Sequence, residues 1–271
     1  QTKLAALEAM WKTEPAPAPF TLFALPDDQQ RTNHAEVQIP YALGLIATRS
    51  TDTVLPGIDQ LEVRAAERIT TGIEAVKLLE KLRAGSASET EKARFAAIKD
   101  DLGHGLLLKK YTADVAQATP EMIARAARDT IPDVAPMFWT FRIMVVLGFL
   151  MLALMAIAFW ESAKNRIGEK RWLLRWALWS IPLPWLACEM GWFVAEYGRQ
   201  PWTIYGILPT NLSTSALTST SLYGSLAGFV GFYTLLLVAE MYLMVKFARL
   251  GPASLGTGRY EGESALLNPA K

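Results

Sequence analysis

The sequence has 271 residues and a formal net charge of +1, with 51% hydrophobic and 20% charged residues. A chain this close to neutrality generates no basic field, which argues against nucleic acid as a partner. Its single cysteine, Cys188, excludes an intrachain disulfide. Because the chain begins at Gln1 without a signal-like apolar segment, we expect it to be the middle of a longer polypeptide.

Residues 1–133 carry most of the charged side chains and predict a water-soluble segment. Helical periodicity and helix-start signals predict helices in these stretches: 1–12, 58–84, 88–111 and 119–130. Residues 13–55 are rich in proline and turn formers and predict extended loop. The two histidines, His34 and His104, both lie in this segment, where we expect surface or loop positions.

Three apolar runs are long enough to cross a membrane, which takes about 20 residues in a helix. They are Met137–Trp160, Trp176–Ala195 and Leu222–Val245, within transmembrane regions of about 134–162, 172–197 and 219–248. Pro182 and Pro184 predict a kink in the second span. The predicted fold class is therefore all-α, a polytopic membrane bundle of three helices joined to a helical and loop-rich soluble segment.

Basic residues are concentrated in the loop 161–175 and after the third span, whereas Arg199 is the only basic residue between the second and third spans. By the positive-inside rule, that loop and a tail at 251–271 are cytoplasmic. Residues 1–133 then lie on the outer side, and 134–250 form the transmembrane region. Several tryptophans fit the aromatic belt of a membrane interface: Trp139, Trp160, Trp172, Trp176 and Trp202.

Each predicted span contains one ionisable residue, Arg142, Glu189 and Glu240 in turn, and Glu196 follows at the end of the second. Such groups are costly in a bilayer unless they are paired or functional. Two interpretations remain open at this point. The charges either form structural ion pairs between helices, or they serve as a proton path, a ligand or the counter-charge of a cofactor.

Two local arrangements have the chemistry to bind a cofactor. Arg142 and Met144 lie close together in the run FRIMV, and a methionine thioether can ligate haem iron, although a methionine in an apolar span is usually core packing. Trp192 and Glu196 share one helix face at i,i+4 spacing. Arg199 follows them, and its guanidinium can pair with carboxylates such as haem propionates.

The stretch GWFVAEYGRQPWTIYGILPT at 191–210, with Gly-Arg-Gln-Pro-Trp at 198–202, resembles the signature of cytochrome bd quinol oxidase subunit I. FRIMV at 141–145, KFARLGPASLGTGRY at 246–260 and KLAALEAMW at 3–11 resemble segments of the same family. The likeness runs along the whole chain. It corresponds to the C-terminal half of that subunit, with its last three helices, in the subclass that has an extended quinol loop.

The resemblance implies an enzyme of the bacterial cytoplasmic (inner) membrane that oxidises quinol on the periplasmic side and reduces O2 to water. It would generate a proton-motive force without pumping protons. The implied cofactors are a low-spin haem b, a high-spin haem b and a haem d or third haem b. The implied partners are the N-terminal half of the same subunit, subunit II, a small accessory single-span subunit, quinol, O2 and membrane lipid.

The family's motifs, matched onto this sequence, also imply residue roles: Met144 as an axial ligand of low-spin haem b, Arg142 as the residue that tunes that haem, Glu196 as a ligand of the high-spin haem, Trp192 in electron transfer between haems, Arg199 on propionates, and Lys3 and Glu8 in quinol binding and oxidation. The i,i+5 spacing of Lys3 and Glu8 would not have selected them. Because the spans contain no histidine, the remaining haem ligands are expected in the N-terminal half, without which the chain would be inactive.

Two alternatives belong to other classes. A haem-free quinone-binding or structural anchor subunit would keep the spans and lack the redox spectrum. A transporter would line a substrate path with Arg142, Glu189 and Glu240. In the oxidase, quinol would dock near Lys3 and Glu8, and Glu240 could belong to a cytoplasmic proton route.

Overall fold

A computed structural model describes residues 1–50 and 52–250 of the chain. The predicted tail at 251–271, and with it most of the stretch 246–260, lies outside the described residues. The chain divides into two compact units, Gln1–Thr214 and the remainder from Ser215 onward. The described residues are mostly helical, as the apolar runs and helical periodicity predict.

The described part of residues 1–133, the predicted soluble segment, contains six α-helices: α1 (Thr2–Leu7), α2 (Ala42–Thr48), α3 (Ile58–Arg83), α4 (Glu89–Ile98), α5 (Leu102–Leu106) and α6 (Pro120–Asp129). The predicted helix at 58–84 is confirmed by α3. A capping box starts α4, because the Glu91 N–H donates to the Ser88 side chain and the Ser88 N–H donates to the Glu91 carboxylate. The predicted continuous helix at 88–111 is wrong beyond Ile98, where 3-10 turns and the short α5 replace it.

The fold is not all-α, because the stretch predicted as loop contains an antiparallel hairpin. Strand β1 (Phe20–Asp27) pairs with β2 (Thr32–Ile39), and α2 follows. The side chain of Asp27 accepts the N–H groups of Gln29 and Gln30 and so stabilises the turn. The prolines concealed strands whose threonine, phenylalanine, valine and isoleucine content suits a sheet.

Among the described residues, four further helices belong to the apolar part: α7 (Val134–Ala163), α8 (Arg171–Trp179) and α9 (Leu183–Tyr197) in the first unit, and α10 (Ser219–Leu250) in the second. By length and composition, the stretches Pro120–Ala163 and Ser219–Arg249 qualify as membrane spans. The second predicted span is not confirmed, because Ser180–Pro182 interrupts it and leaves α8 and α9 too short to qualify. Pro182 and Pro184 account for the break, since proline cannot donate a helical hydrogen bond.

The first unit has two main apolar cores. One packs α1 and the first turn of α3 against the start of α7, with Ala6, Met137 and Phe138 fully buried. The other lies between α3, α5 and α6 and includes Trp202 from the strand β3 (Trp202–Ile204), which pairs with β4 (Leu208–Pro209). In the first core the soluble segment packs against α7. In the second core it packs against the residues that follow α9.

Candidate functional site

A buried ion pair joins the soluble segment to α7. Arg142 Nη2 lies 3.1 Å from Glu8 Oε2, and the two side chains are 8% and 2% exposed. The guanidinium also donates to the main-chain oxygens of Leu7, Thr21 and Phe138, and its central carbon lies 3.4 Å from the centre of the Phe138 ring. These partners offset the cost of burying a charge, which a single ion pair often fails to do.

The Glu8 carboxylate accepts a second hydrogen bond from the Thr21 N–H of β1, at 3.2 Å. Burial raises the pKa of Glu8 to about 7, against the opposing influence of Arg142 and of these hydrogen bonds. A carboxyl group with this pKa changes its charge near neutral pH, which is the property of a proton acceptor. One atom of the pair is unsatisfied, since Arg142 Nε is buried without a hydrogen-bond partner among the described residues.

Lys3 contacts α9, whereas Glu8 contacts α7. The Lys3 ammonium donates to the main-chain oxygen of Ala195 at 3.1 Å, next to Glu196 on α9. Tyr197 donates to the carboxylate of Asp133 at 2.5 Å, so the end of α9 also meets the start of α7. Lys3 and Glu8 therefore contact different helices, which agrees with their i,i+5 spacing, and α1 bridges the two helix ends.

Met144 lies where α7 and α9 cross closely. A Cβ atom at Gly191 would lie only 3.2 Å from Met144 Sδ. Gly191 directly precedes Trp192, so the methionine implied as an iron ligand packs against the helix that carries Trp192 and Glu196. Met144 is half-buried, and the crossing holds its thioether between the two helices.

The remaining predicted site residues lie at the end of α9. Glu196 and Arg199 form an ion pair at 3.1 Å, with side chains 45% and 47% exposed, a geometry that contributes little stability in solvent. Trp192 is 64% exposed. Within the described residues the ion-pair partner of Arg142 is Glu8 at the end of α1, and no ion pair joins Arg142 to a carboxylate of α9.

Two sequence expectations about buried aromatic residues are also wrong. Trp202 is 2% exposed inside the core of the soluble segment and is not an interfacial tryptophan. His104, expected at the surface or in a loop, is 4% exposed, and its ring centre lies 5.0 Å from that of Trp202. The glycines on either side of His104 were the available signal, because a Gly-His-Gly run indicates close backbone packing. His34 is exposed, as expected.

The donor set fits a haem better than a bare metal ion. The described residues hold no cluster of three or more His, Cys, Asp or Glu side chains that could bind a metal. Met144 and Glu196 offer one iron-ligating atom type each, a thioether and a carboxylate. Arg199, whose side chain is 47% exposed, supplies a cation suited to propionates.

Comparison with known proteins gives the same answer along residues 1–252. The family model for cytochrome bd terminal oxidase subunit I matches residues 1–252. The chain is 46% identical over 253 residues to cytochrome bd-II ubiquinol oxidase subunit 1 of Escherichia coli (strain K12), which covers 93% of this chain and 49% of that protein. It is 27% identical over 250 residues to cytochrome bd ubiquinol oxidase subunit 1 of Bacillus subtilis (strain 168), covering 92% of this chain and 42% of that protein.

The chain therefore spans about half the length of the curated relatives it matches. The matched region contains α1, the crossing of α7 and α9, and the Glu196–Arg199 segment, so the candidate site lies inside it. This chain belongs to the cytochrome bd terminal oxidase subunit I family.

Proposed function

We propose that this chain forms the quinol-oxidising loop and part of the haem-binding helices of a respiratory terminal oxidase that reduces O2 to water. One observation carries the proposal: the residue implied to act on quinol, Glu8, is ion-paired at 3.1 Å with the residue implied to tune a haem, Arg142. The names of the two relatives, both ubiquinol oxidases, support the substrate. Electron transfer without proton pumping would generate the proton-motive force.

Glu8 is the proton acceptor in this proposal. A cavity of about 220 Å³ lies beside it, lined also by Trp11 and by the hairpin residues Thr21 and Asn33. Quinol oxidation releases protons as well as electrons, and a carboxyl group with a pKa raised to about 7 can take one near neutral pH. Lys3 would hold α1 against α9 so that Glu8 faces the substrate.

Met144 and Glu196 would hold haem iron, Met144 in a low-spin haem b and Glu196 in a high-spin haem, with haem d or a third haem b beside it. Haem iron, when bound, changes its charge by one and so passes single electrons. Arg142 would stabilise the reduced, more negative form. Arg199 would bind propionates, and Trp192 would lie between haems. Subunit II, the remaining half of this subunit and a small accessory subunit would complete the complex.

The same proposal gives the chain three spans in the bacterial inner membrane, with 172–197 as a broken second span. Support comes from the basic loop 161–175 and from α1, which contacts both the start of α7 and the end of α9. Those two helix ends would then lie on one side, the periplasmic side, together with residues 1–133. The tail at 251–271 would be cytoplasmic.

The substitution Met144→Leu tests the proposal in the purified complex. It should abolish the low-spin haem b band in the reduced-minus-oxidised spectrum, because leucine supplies no iron ligand. Retention of the band at full intensity would overturn the assignment. A pyridine haemochrome assay that finds no haem in the wild-type complex would instead support a haem-free anchor subunit, and far-red absorption separates haem d from a third haem b.

A further inference from the structure

We propose that His104 and Trp202 form a positioning contact through which the soluble helices hold the segment 196–202, and with it Glu196 and Arg199. The soluble segment would then act on the high-spin haem end of α9 as well as on quinol. This inference rests on the proposed function, because it assumes that Glu196 and Arg199 serve that haem.

The contact is buried on both sides. Trp202 lies in a buried cluster with residues of α3, of α6 and of the 3-10 turn after α5, among them Ile69 and Leu108. Its ring centre lies 5.0 Å from that of His104. Tyr205 packs against Trp202 as well, at 5.8 Å between ring centres. A tryptophan buried in this way fixes the position of its own backbone, because displacing it would open a large cavity.

The backbone on both sides of His104 packs directly against neighbouring segments. A Cβ atom at Gly103 would lie 2.2 Å from the main-chain oxygen of Gly206, and one at Gly105 would lie 2.3 Å from the main-chain oxygen of Gly72. Helix α5 is therefore clamped between α3 and the residues that follow β3. The Gly-His-Gly run is explained by this clamp, since only glycine permits both approaches.

Main-chain hydrogen bonds connect Trp202 to Arg199 and Glu196. The Trp202 N–H donates to the main-chain oxygen of Arg199 at 3.0 Å, and the Arg199 N–H donates to that of Glu196 at 3.2 Å. The Arg199 and Glu196 side chains are ion-paired. Two successive short turns thus connect the buried tryptophan to the carboxylate implied as an iron ligand, whose own side chain has no buried packing to hold it.

His104 acts in this contact as a neutral ring. Burial, helped by the charge of Arg68 and opposed by that of Asp101, lowers the pKa of His104 to about 4. Its Nδ1 atom is buried without a hydrogen-bond partner in the part of the chain that the structure describes. Shape against Trp202, rather than charge or a hydrogen bond, is what the side chain contributes, so a phenyl ring should replace it and a small side chain should not.

The test uses the purified complete oxidase with His104→Ala, His104→Phe and Gly103→Ala, and with Gly168→Ala as the matched glycine control, because a Cβ at Gly168 meets nothing within 4 Å. In His104→Ala and Gly103→Ala we expect loss of most of the CO-induced absorbance change of the reduced high-spin haem. The low-spin haem b band and the KM for quinol should stay at wild-type values. Amides 199–204 should exchange hydrogen at least tenfold faster. His104→Phe and Gly168→Ala should behave as wild type.

If His104→Ala fails to assemble, His104→Val replaces it, with the same measurements and the same expected results, since valine also lacks a ring. Wild-type CO binding and wild-type exchange in the ring-deficient variants would overturn the inference. Equal loss of both haem signals in His104→Ala and His104→Phe would overturn it too, because it would indicate general unfolding. A wild-type complex without haem would contradict the proposed function itself and is recognised before any variant is made.

Discussion

The Thr21 main chain bonds both members of the Glu8–Arg142 pair: its N–H donates to the carboxylate and its carbonyl accepts from the guanidinium. Strand β1 therefore closes over the pair from the side opposite α7. The hairpin is held in turn by Arg31, which pairs with Asp59 and Glu62 on α3 at 2.7 and 2.8 Å.

The pH dependence of quinol oxidation should follow Glu8. The ionised carboxylate is the form that can accept a proton, so kcat/KM for quinol should rise as the pH increases through about 7, the raised pKa of this group. Glu8→Gln should lower the rate and abolish this inflection in the pH–rate profile. Glu36→Gln, a change in the same cavity, is the control and should keep it. An unchanged inflection in Glu8→Gln would assign the proton acceptor elsewhere.

Removing the arginine should destabilise the protein strongly. Arg142→Met leaves Glu8 buried without its partner, which typically costs about 3–5 kcal/mol. The double variant Arg142→Met/Glu8→Gln should regain much of that loss, because no unpaired charge remains. Thermal unfolding of the detergent-solubilised complex measures the loss of stability in the single variant and its recovery in the double variant. Strictly additive effects of the two single changes would show that the pair is not energetically coupled.

The Met144–Gly191 crossing should be sensitive to one methyl group. Gly191→Ala places a Cβ 3.2 Å from Met144 Sδ, closer than most van der Waals contacts. We expect a shifted or weakened low-spin haem b band, and loss of most of it in Gly191→Val. Gly148→Ala, on α7 with open space at its Cβ, should leave the reduced-minus-oxidised spectrum unchanged. A normal band in Gly191→Val would mean that the thioether does not depend on this crossing.

Lys3 should affect quinol binding without changing the haems. Lys3→Met removes the 3.1 Å hydrogen bond to Ala195, and losing a charged hydrogen bond typically costs about 1.5–3 kcal/mol. If α1 then shifts away from α9, the KM for quinol should rise about tenfold, which corresponds to about 1.4 kcal/mol. Lys77→Met, an exposed lysine of α3 that does not line the cavity beside Glu8, is the control. Steady-state kinetics and the reduced spectrum together distinguish a substrate effect from a haem effect.

Local patterns were sufficient where structure depends on neighbours in sequence. The capping box at Ser88 and the periodicity of α3 are examples, since their hydrogen bonds and apolar stripe join residues within a few positions. The hairpin was missed because its stability comes from pairing β1 with β2, and proline-rich composition conceals such pairing. The break in the second span was predictable from Pro182 and Pro184, but its extent was not.

The sequence by itself determined that the chain is apolar enough to enter a membrane, where its charges are, and which family motifs it carries. Apolar length and side-chain chemistry are local properties, so they can be read without coordinates. Only the tertiary structure decided that Arg142 is neutralised by Glu8, 134 positions away, and that Trp202 is buried against His104 and not at a membrane interface. Both contacts depend on how α1, α5 and α7 pack, and packing of distant segments leaves no local pattern in a single sequence.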